Sequence, residues 1–198
     1  MLVDYSDKEL TQKYQLMAQT IIPRPIAWVI TYNEDNSYNI APFSYFMGLS
    51  SEPPTMVVSV GHKSDGSEKD TLKNLRQRGK CTICMVGEAQ LDQMHFSSKE
   101  LGKNISEAQE FSIPLQQIRD DFPPIVQGIA SAFFCTLYQE IDLKGSKTIP
   151  LVVKIHHQYI DDAIISDDKR ITLEYEPLAR VGKSYALLGK KITPPSIP

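Results

Sequence analysis

Residues 26–43 read IAWVITYNEDNSYNIAPF. A β-branched and aromatic run (26–32) is followed by turn residues, NEDNS, and then by a second extended segment, YNIAPF. The stretch therefore reads as a β-hairpin with a longer loop. Its second arm runs into NIAPFSYF (39–46), which is unusual. Polar Asn39 is followed by small Ala41, by Pro42 with no backbone donor, by a hydroxyl at Ser44, and by three aromatic side chains. The segment is too apolar for an ordinary exposed turn and too broken by proline for a helix interior. It gathers backbone donors, a hydroxyl and aromatics on one bend.

Outward from this hairpin, SSEPP breaks the pattern, because proline biases the preceding residue to an extended conformation. TMVVSV (55–60) is the next strand, and GHKSDGSEK is a polar loop. DTLKNLRQR predicts a short helix with Leu72 and Leu75 on one face and Gly79 placed to end it. KCTICMV is again a strand. Residues 88–110 read as helical, with Leu91, Met94 and His95 at helical spacing and a break near Gly102. FSIPLQQIRDDFPPIV reads as an irregular surface excursion. Residues 129–143 form a long strand, with Ile129, Phe133, Cys135, Leu137 and Ile141 expected on one face. GSK (145–147) turns the chain into a second long strand, TIPLVVKIHHQYIDDAII, and KRITL and YALL add short pieces. Strands joined mainly by hairpins, with helices concentrated in the middle, do not alternate as a doubly wound parallel sheet requires. A mainly β antiparallel barrel with helical insertions fits.

The 198 residues suit one domain spanning 1–198, and 41% hydrophobic with 23% charged residues is a globular composition. A net charge of -3 gives no electrostatic reason to expect nucleic-acid binding. The basic cluster KNLRQRGK (73–80) reads as the solvated face of a helix. No apolar run approaches the ~20 residues needed to cross a bilayer, and the first residues lack the pattern of a signal peptide; a cytoplasmic location is the default expectation. Three cysteines, Cys81, Cys84 and Cys135, argue against a disulfide framework. Cys81 and Cys84 lie three apart on a strand, on opposite faces, and read as core residues rather than a metal or redox pair. Gly182-Lys183-Ser184 ends like a phosphate-binding loop, but Pro177 stands where that motif needs glycine. No G-x-G-x-x-G occurs. Asn104-Ile105-Ser106 matches a glycosylation acceptor in a chain with no sign of secretion. His156 and His157, adjacent on a strand, are expected to face opposite ways and to be structural. No nucleophilic triad and no metal-ligand set stands out.

Three segments in order carry a family resemblance: PRPIAWVITYNEDNSYNIAPFSYFMGLSSEPPTMVVSV (23–60), KDTLKNLRQRGKCTICMV (69–86) and EPLARVGKSY (176–185). They contain an R-P-x-A-W-V-x-T strand, an N-x-A-P-F-S bend, a D/E-P-P turn, a K-D-T helix start and a late R-x-G-x-x-Y stretch. This set resembles the flavin reductase-like family, whose members bind FMN in a split β-barrel. The resemblance implies a non-covalent FMN lying against the bend. An isoalloxazine ring, apolar on its faces and polar at its rim, would use backbone donors around Asn39, Ile40 and Ala41. The Ser44 hydroxyl would reach the phosphate or ribityl chain.

Lys69 and Thr71 would hold the phosphate at a helix N-terminus. Asp70 would cap or brace that end, and an ordinary N-cap remains the alternative reading of Asp70-Thr71. Thr31, Arg24 and Arg180 are further candidates, with Gly182 and Tyr185 kept from the late motif. The resemblance also implies a homodimer, with the proline-rich tail TPPSIP free to lie across a partner. It implies reduction of the flavin by NADH or NADPH and electron delivery to a small-molecule or protein acceptor. An electron carrier without its own NAD(P)H activity, and a flavin-free binding protein, are the alternatives. No side chain is implied as a catalytic acid or base, since the cofactor carries the chemistry. The chain departs from many relatives at GSKTIPLVVKI, where they carry a more glycine-rich turn.

Overall fold

The structure, a computed structural model, describes residues 1–102 and 105–197. Asn104 of the acceptor motif, two positions of the expected 88–110 helix and the last proline of the tail lie outside the described residues. The chain opens with helix α1 (Leu10–Thr20) and strand β1 (Arg24–Pro25), followed by β2 (Ala27–Tyr32) and β3 (Tyr38–Phe43). These last two form the expected hairpin, with Thr31 opposite Asn39 and Ala27 opposite Phe43. Next come β4 (Phe46–Ser51), β5 (Pro54–Val60), helix α2 (Asp70–Arg78) and β6 (Lys80–Met85). After a 3-10 turn come α3 (Leu91–Phe96) and α4 (Glu107–Glu110), then β7 (Leu115–Gln116) and β8 (Ile125–Val126). The long strands are β9 (Ser131–Glu140) and β10 (Ile149–Ile160). Short pieces follow: β11 (Ile165–Asp167), β12 (Thr172–Leu173), β13 (Leu178–Val181) and β14 (Ser184–Leu187).

Seven strands form the main sheet in the order β3-β2-β6-β9-β10-β5-β4, and β1-β13-β14 form a smaller one. Neighbouring strands in both run antiparallel. The centre of the main sheet is buried on both faces. Ala27, Val29, Cys81, Ile83 and Cys135 point to one core, where Leu72 and Leu75 of α2 also pack. Trp28, Ile30 and Cys84 point to a second core with Phe134 and Ile125. Burial on both faces is why β2 reads as an unbroken apolar run. It also puts the two cysteines of CTIC in different cores, as strand alternation requires. Trp28 is fully buried, and its indole N–H donates to Ser97 Oγ at 2.9 Å. That bond satisfies the one polar atom of a large apolar side chain.

Helix α2 ends as expected at Gly79, whose φ of 69° suits glycine. Other expectations are corrected. The 88–110 region is not one helix: α3 stops at Phe96, where Ser97 turns its hydroxyl back to the Met94 carbonyl. Residues 39–43 do not bend but continue β3, and the bend falls at Ser44 and Tyr45. Ile129 does not share a face with Phe133, Cys135 and Leu137. It precedes β9, just after Gly128 (φ 75°), and joins the other core. Ile141 lies beyond the end of β9 and belongs to neither core, because a register shift opposite Val152 and Val153 interrupts the alternation.

His156 and His157 do not face opposite ways. Ile155 pairs with Cys135 and His157 with Phe134, so His156 is the extra residue of a β-bulge. Both imidazoles stand beside Phe122, at 6.1 and 6.3 Å between ring centroids. Helix α1 and edge strand β4 have no counterpart in the sequence reading. Their apolar residues are largely exposed, with Met47 at 60% and Leu49 at 52%, so no periodic buried face announced them. Among the described residues no helix is long and apolar enough to cross a membrane.

Candidate functional site

Strand β3 is an edge strand, and two clefts lie along it end to end. The first encloses about 350 Å³, and its walls include Asn39, Ala41, Lys69, Asp70, Thr71 and Glu107. Its floor is a buried amide–hydroxyl network. Asn39 Nδ2 donates to Thr71 Oγ1 at 2.9 Å and to Thr31 Oγ1 at 3.2 Å. Asn74 Nδ2 donates to the same Thr31 oxygen at 3.0 Å and to Asn33 Oδ1 at 2.9 Å. These bonds fix the side chains of two strands and a helix relative to one another. Because the Thr71 oxygen already accepts from Asn39, its hydroxyl proton remains free to donate.

The N-terminus of α2 opens on this cleft, and no side chain caps it. Asp70 does not cap; it pairs with Lys63 at 2.8 Å. Thr71 does not cap either. The N-cap position itself is Lys69, so Asp70 and Thr71 are the first residues of the helix. Glu100 accepts from Ser64 N at 3.1 Å and from Ser64 Oγ at 2.6 Å, and lies 3.5 Å from Lys69 Nζ. The Ser64 hydrogen bonds hold its carboxyl below the ordinary range. Glu107 takes the outward N–H of Ile40 at 2.9 Å, while Ser106 Oγ donates to the Tyr38 carbonyl at 2.6 Å. Burial pushes the Glu107 carboxyl up to about 7, against the opposing pull of the Ile40 hydrogen bond.

The second cleft encloses about 530 Å³, and Pro42, Phe43, Ser44, His95, Arg180 and Tyr185 line it. His95 Nδ1 lies 2.9 Å from the Tyr185 hydroxyl, the two rings meeting edge to face. The Arg180 guanidinium lies 4.6 Å over the same tyrosine ring. Ser98 belongs to the walls of both clefts, which makes them neighbours.

The sequence-derived candidates thus divide. Asn39, Ala41, Lys69, Asp70 and Thr71 gather at the first cleft; Ser44 and Arg180 gather at the second. The Ile40 side chain is core, and its backbone N–H is held by Glu107. In an edge strand successive N–H groups alternate between the sheet and the outside. Ile40 therefore faces outward, Asn39 and Ala41 face β2, and Pro42 falls at an outward position where no ladder donor is lost. Thr31 is fully buried beneath Asn39 and lines neither cleft. Arg24 is buried under α1, donating to the carbonyls of Ala18 and Ile21.

His95 was visible in the sequence only as a helical position. Lys63, Glu100 and Glu107 escaped it: Lys63 and Glu100 lie in irregular segments, and α4, which carries Glu107, meets β3 from sixty-seven positions along the chain. Among the described residues no group of three or more His, Cys, Asp or Glu could hold a metal ion. Lysines, a free hydroxyl and an uncapped helix N-terminus at one end, with aromatic and apolar walls at the other, form a donor set that fits a phosphate-bearing planar ligand.

Comparison with known proteins bears on this arrangement. The flavin reductase like domain matches residues 17–176. An uncharacterised protein of Aquifex aeolicus is 28% identical, over 87% of each chain. The structure of 2-nitrobenzoate 2-nitroreductase from Pseudomonas fluorescens aligns with a TM-score of 0.88 and 27% identity, covering 100% of this chain and 96% of that one. Nitrilotriacetate monooxygenase component B from Bacillus cereus aligns with a TM-score of 0.89 at 23% identity, over 98% of both chains. The antiparallel architecture is a split β-barrel, and the chain belongs to the flavin reductase-like domain family.

Proposed function

We propose that the protein binds FMN along β3, takes electrons from NADH or NADPH and delivers them to an acceptor. The observation that carries this reading is the continuity of the two clefts. An uncapped helix N-terminus with Lys69 and Thr71 stands at one end, and an aromatic-walled space stands at the other. The phosphate sits at α2, where the free N–H groups and the Lys69 ammonium compensate its charge. Asn39 holds the Thr71 hydroxyl in the orientation that leaves its proton for the phosphate. Asp70 keeps the Lys63 ammonium beside the same anion without touching it. Pro42 and Phe43 give flat apolar contact and exclude water from one side, while Ser44 offers a hydroxyl in the aromatic cleft. The cofactor supplies hydride acceptance and electron delivery one or two at a time; the chain supplies position, charge and access.

The 27%-identical neighbour named a nitroreductase supports a small aromatic molecule as the acceptor class. We assign a homodimer to the same reading: the exposed Met47 and Leu49 on edge strand β4 form an apolar border that a second copy would cover. Light scattering over a dilution series tests it, with a persistent monomer as the contrary result. The cofactor is tested by the spectrum of the purified protein, then by anaerobic addition of each nicotinamide. A flavin released on denaturation, and bleached in place by NADH or NADPH, is expected. A protein that gains no flavin from excess FMN overturns the proposal. One that binds flavin but leaves it oxidised is an electron carrier instead.

A further inference from the structure

Three buried polar side-chain atoms among the described residues have no hydrogen-bond partner: Arg24 Nε, Arg24 Nη2 and the Tyr45 hydroxyl. They lie together, with the Arg24 guanidinium 5.8 Å from the Tyr45 ring. Arg24 is only 4% exposed, and its one satisfied nitrogen donates to backbone carbonyls of α1 and its C-terminal end. Among the described residues no carboxylate pairs with it. A buried cation with no counter-charge is costly, and unsatisfied buried groups are rare enough to require a reason.

The strand partner of Arg24 makes the imbalance worse. Across the β1–β13 pair, Arg24 stands directly opposite Arg180, and like charges facing each other on adjacent strands destabilise the pair. Arg180 bonds the Gly182 carbonyl and lies over Tyr185, again without an acid. Lys183, in the turn between β13 and β14, has no ion pair among the described residues. Three cations thus collect where the described residues supply no ion-pair partner.

Arg180 and Lys183 border a groove between α1 and the β13–β14 turn, lined by Tyr14, Gln15 and Gln19 on one side and by Arg180, Lys183 and Ser184 on the other, and Arg24 lies beneath its Ala18 wall. Tyr14 and Arg180 also line the aromatic cleft, so one ligand can occupy both spaces. Tyr14 packs on Tyr45 at 6.0 Å and links the groove to the unpaired cluster below.

We infer that this groove takes the pyrophosphate of the nicotinamide dinucleotide donor, whose nicotinamide then lies in the aromatic cleft against the flavin. Arg180 and Lys183 meet the anion from the wall, and Arg24 adds its charge from beneath. Two features favour a dinucleotide over a small carboxylate. Three cations match a dianion better than a single charge, and the groove is larger than the cleft it joins. The assignment rests on the proposed flavin site.

The test uses 1,4,5,6-tetrahydro-NADH, a redox-inert analogue of the reduced donor. It is titrated calorimetrically into the FMN-loaded parent, Lys183→Gln and Arg180→Gln, after the FMN affinity of each has been measured. Lys183→Gln should weaken the analogue about fivefold, since an exposed cation is partly screened. Arg180→Gln should weaken it about ten- to a hundredfold, as expected for a charge-assisted hydrogen bond. N-methylnicotinamide, which has no phosphate, should bind Lys183→Gln and the parent alike. Equal affinity of the analogue for all three proteins, or none for the loaded parent, overturns the inference. Weaker binding of benzoate to the variants with unchanged binding of the analogue also overturns it, and assigns the cations to an acceptor carboxylate. If the parent takes no FMN, the flavin reading fails by itself. The same titration on flavin-free protein then decides the groove, with loss of binding in Lys183→Gln upholding it and no loss overturning it.

Discussion

The two ends of β3 solve the problem of buried polarity in opposite ways. At the Asn39 end, amides and hydroxyls satisfy one another, and the nearby ions are paired: Lys63 with Asp70 and Lys69 with Glu100. Beyond the Ser44 end, Arg24 and Tyr45 keep unpaired polar atoms, and Arg180 and Lys183 have no ion-pair partner among the described residues. A closed network holds its geometry without a ligand. An open one stays under electrostatic tension until an anion arrives. The first end is therefore built to position, and the second to receive.

The sharpest way to break this contrast is at its most satisfied residue. Asn39→Ala removes the donor shared by Thr31 and Thr71 and leaves a small buried void, so unfolding free energy should fall by about 3 kcal/mol in urea denaturation. Arg24→Met, although it deletes a larger side chain, should cost only about 1 kcal/mol, because an unbalanced buried charge is removed along with its carbonyl bonds. Equal losses would show that the two ends are not differently satisfied.

Glu107 offers a second test at the saturated end. Its carboxyl is raised to about 7 in the folded state, against 4.5 for the ordinary group. Between those values the folded chain binds more protons than the unfolded one, so the group's contribution to stability declines as pH rises through the window. Glu107→Gln keeps an oxygen for the Ile40 N–H and removes the charge. Its stability advantage over the parent should grow from pH 4.5 to 7, reaching ~2 kcal/mol, and then level off. A pH-independent difference would place the carboxyl outside the buried wall.

Ligand preference gives a smaller and more local effect. Lys69→Ala should reduce the preference for FMN over riboflavin by about tenfold or more, since a charge-assisted bond contributes roughly 1.5–3 kcal/mol and competition from Glu100 takes part of it. Thr71→Ala should act in the same direction more weakly. An unchanged ratio in both variants moves the phosphate elsewhere. The smallest expected change is a gain. Glu100→Gln frees Lys69 from its internal partner, 3.5 Å away, and should tighten FMN by about two- to fivefold with riboflavin unaffected. Weaker FMN binding in that variant would make Glu100 a supporting residue instead of a competitor.

Several elements were legible because their determinants are local. The hairpin of 26–43 declared itself by a β-branched run, a polar loop and a second run. The stop of α2 at Gly79 followed from the backbone freedom of glycine. The opposite facing of Cys81 and Cys84 followed from strand alternation. Where the chain departs from regular geometry, local reading failed. A single bulge at His156 turned two histidines expected on opposite faces toward the same phenylalanine. Helix α1 and strand β4 expose most of their apolar residues, so they carried no periodic signal of burial.

By itself the sequence determined the antiparallel barrel, the family and the candidate residues along β3 and the start of α2, because these depend on spacing within short segments and on the order in which the segments follow one another. Tertiary structure decided which of those residues reach a cleft. Thr31 lies beneath the site, Arg24 lies under α1, and the Ile40 N–H belongs to a carboxylate sixty-seven positions away in the chain. It also decided that Arg24 and Arg180 face each other across two strands. Contacts between distant segments depend on how strands are ordered and where bulges fall, and no window of neighbouring residues encodes that order.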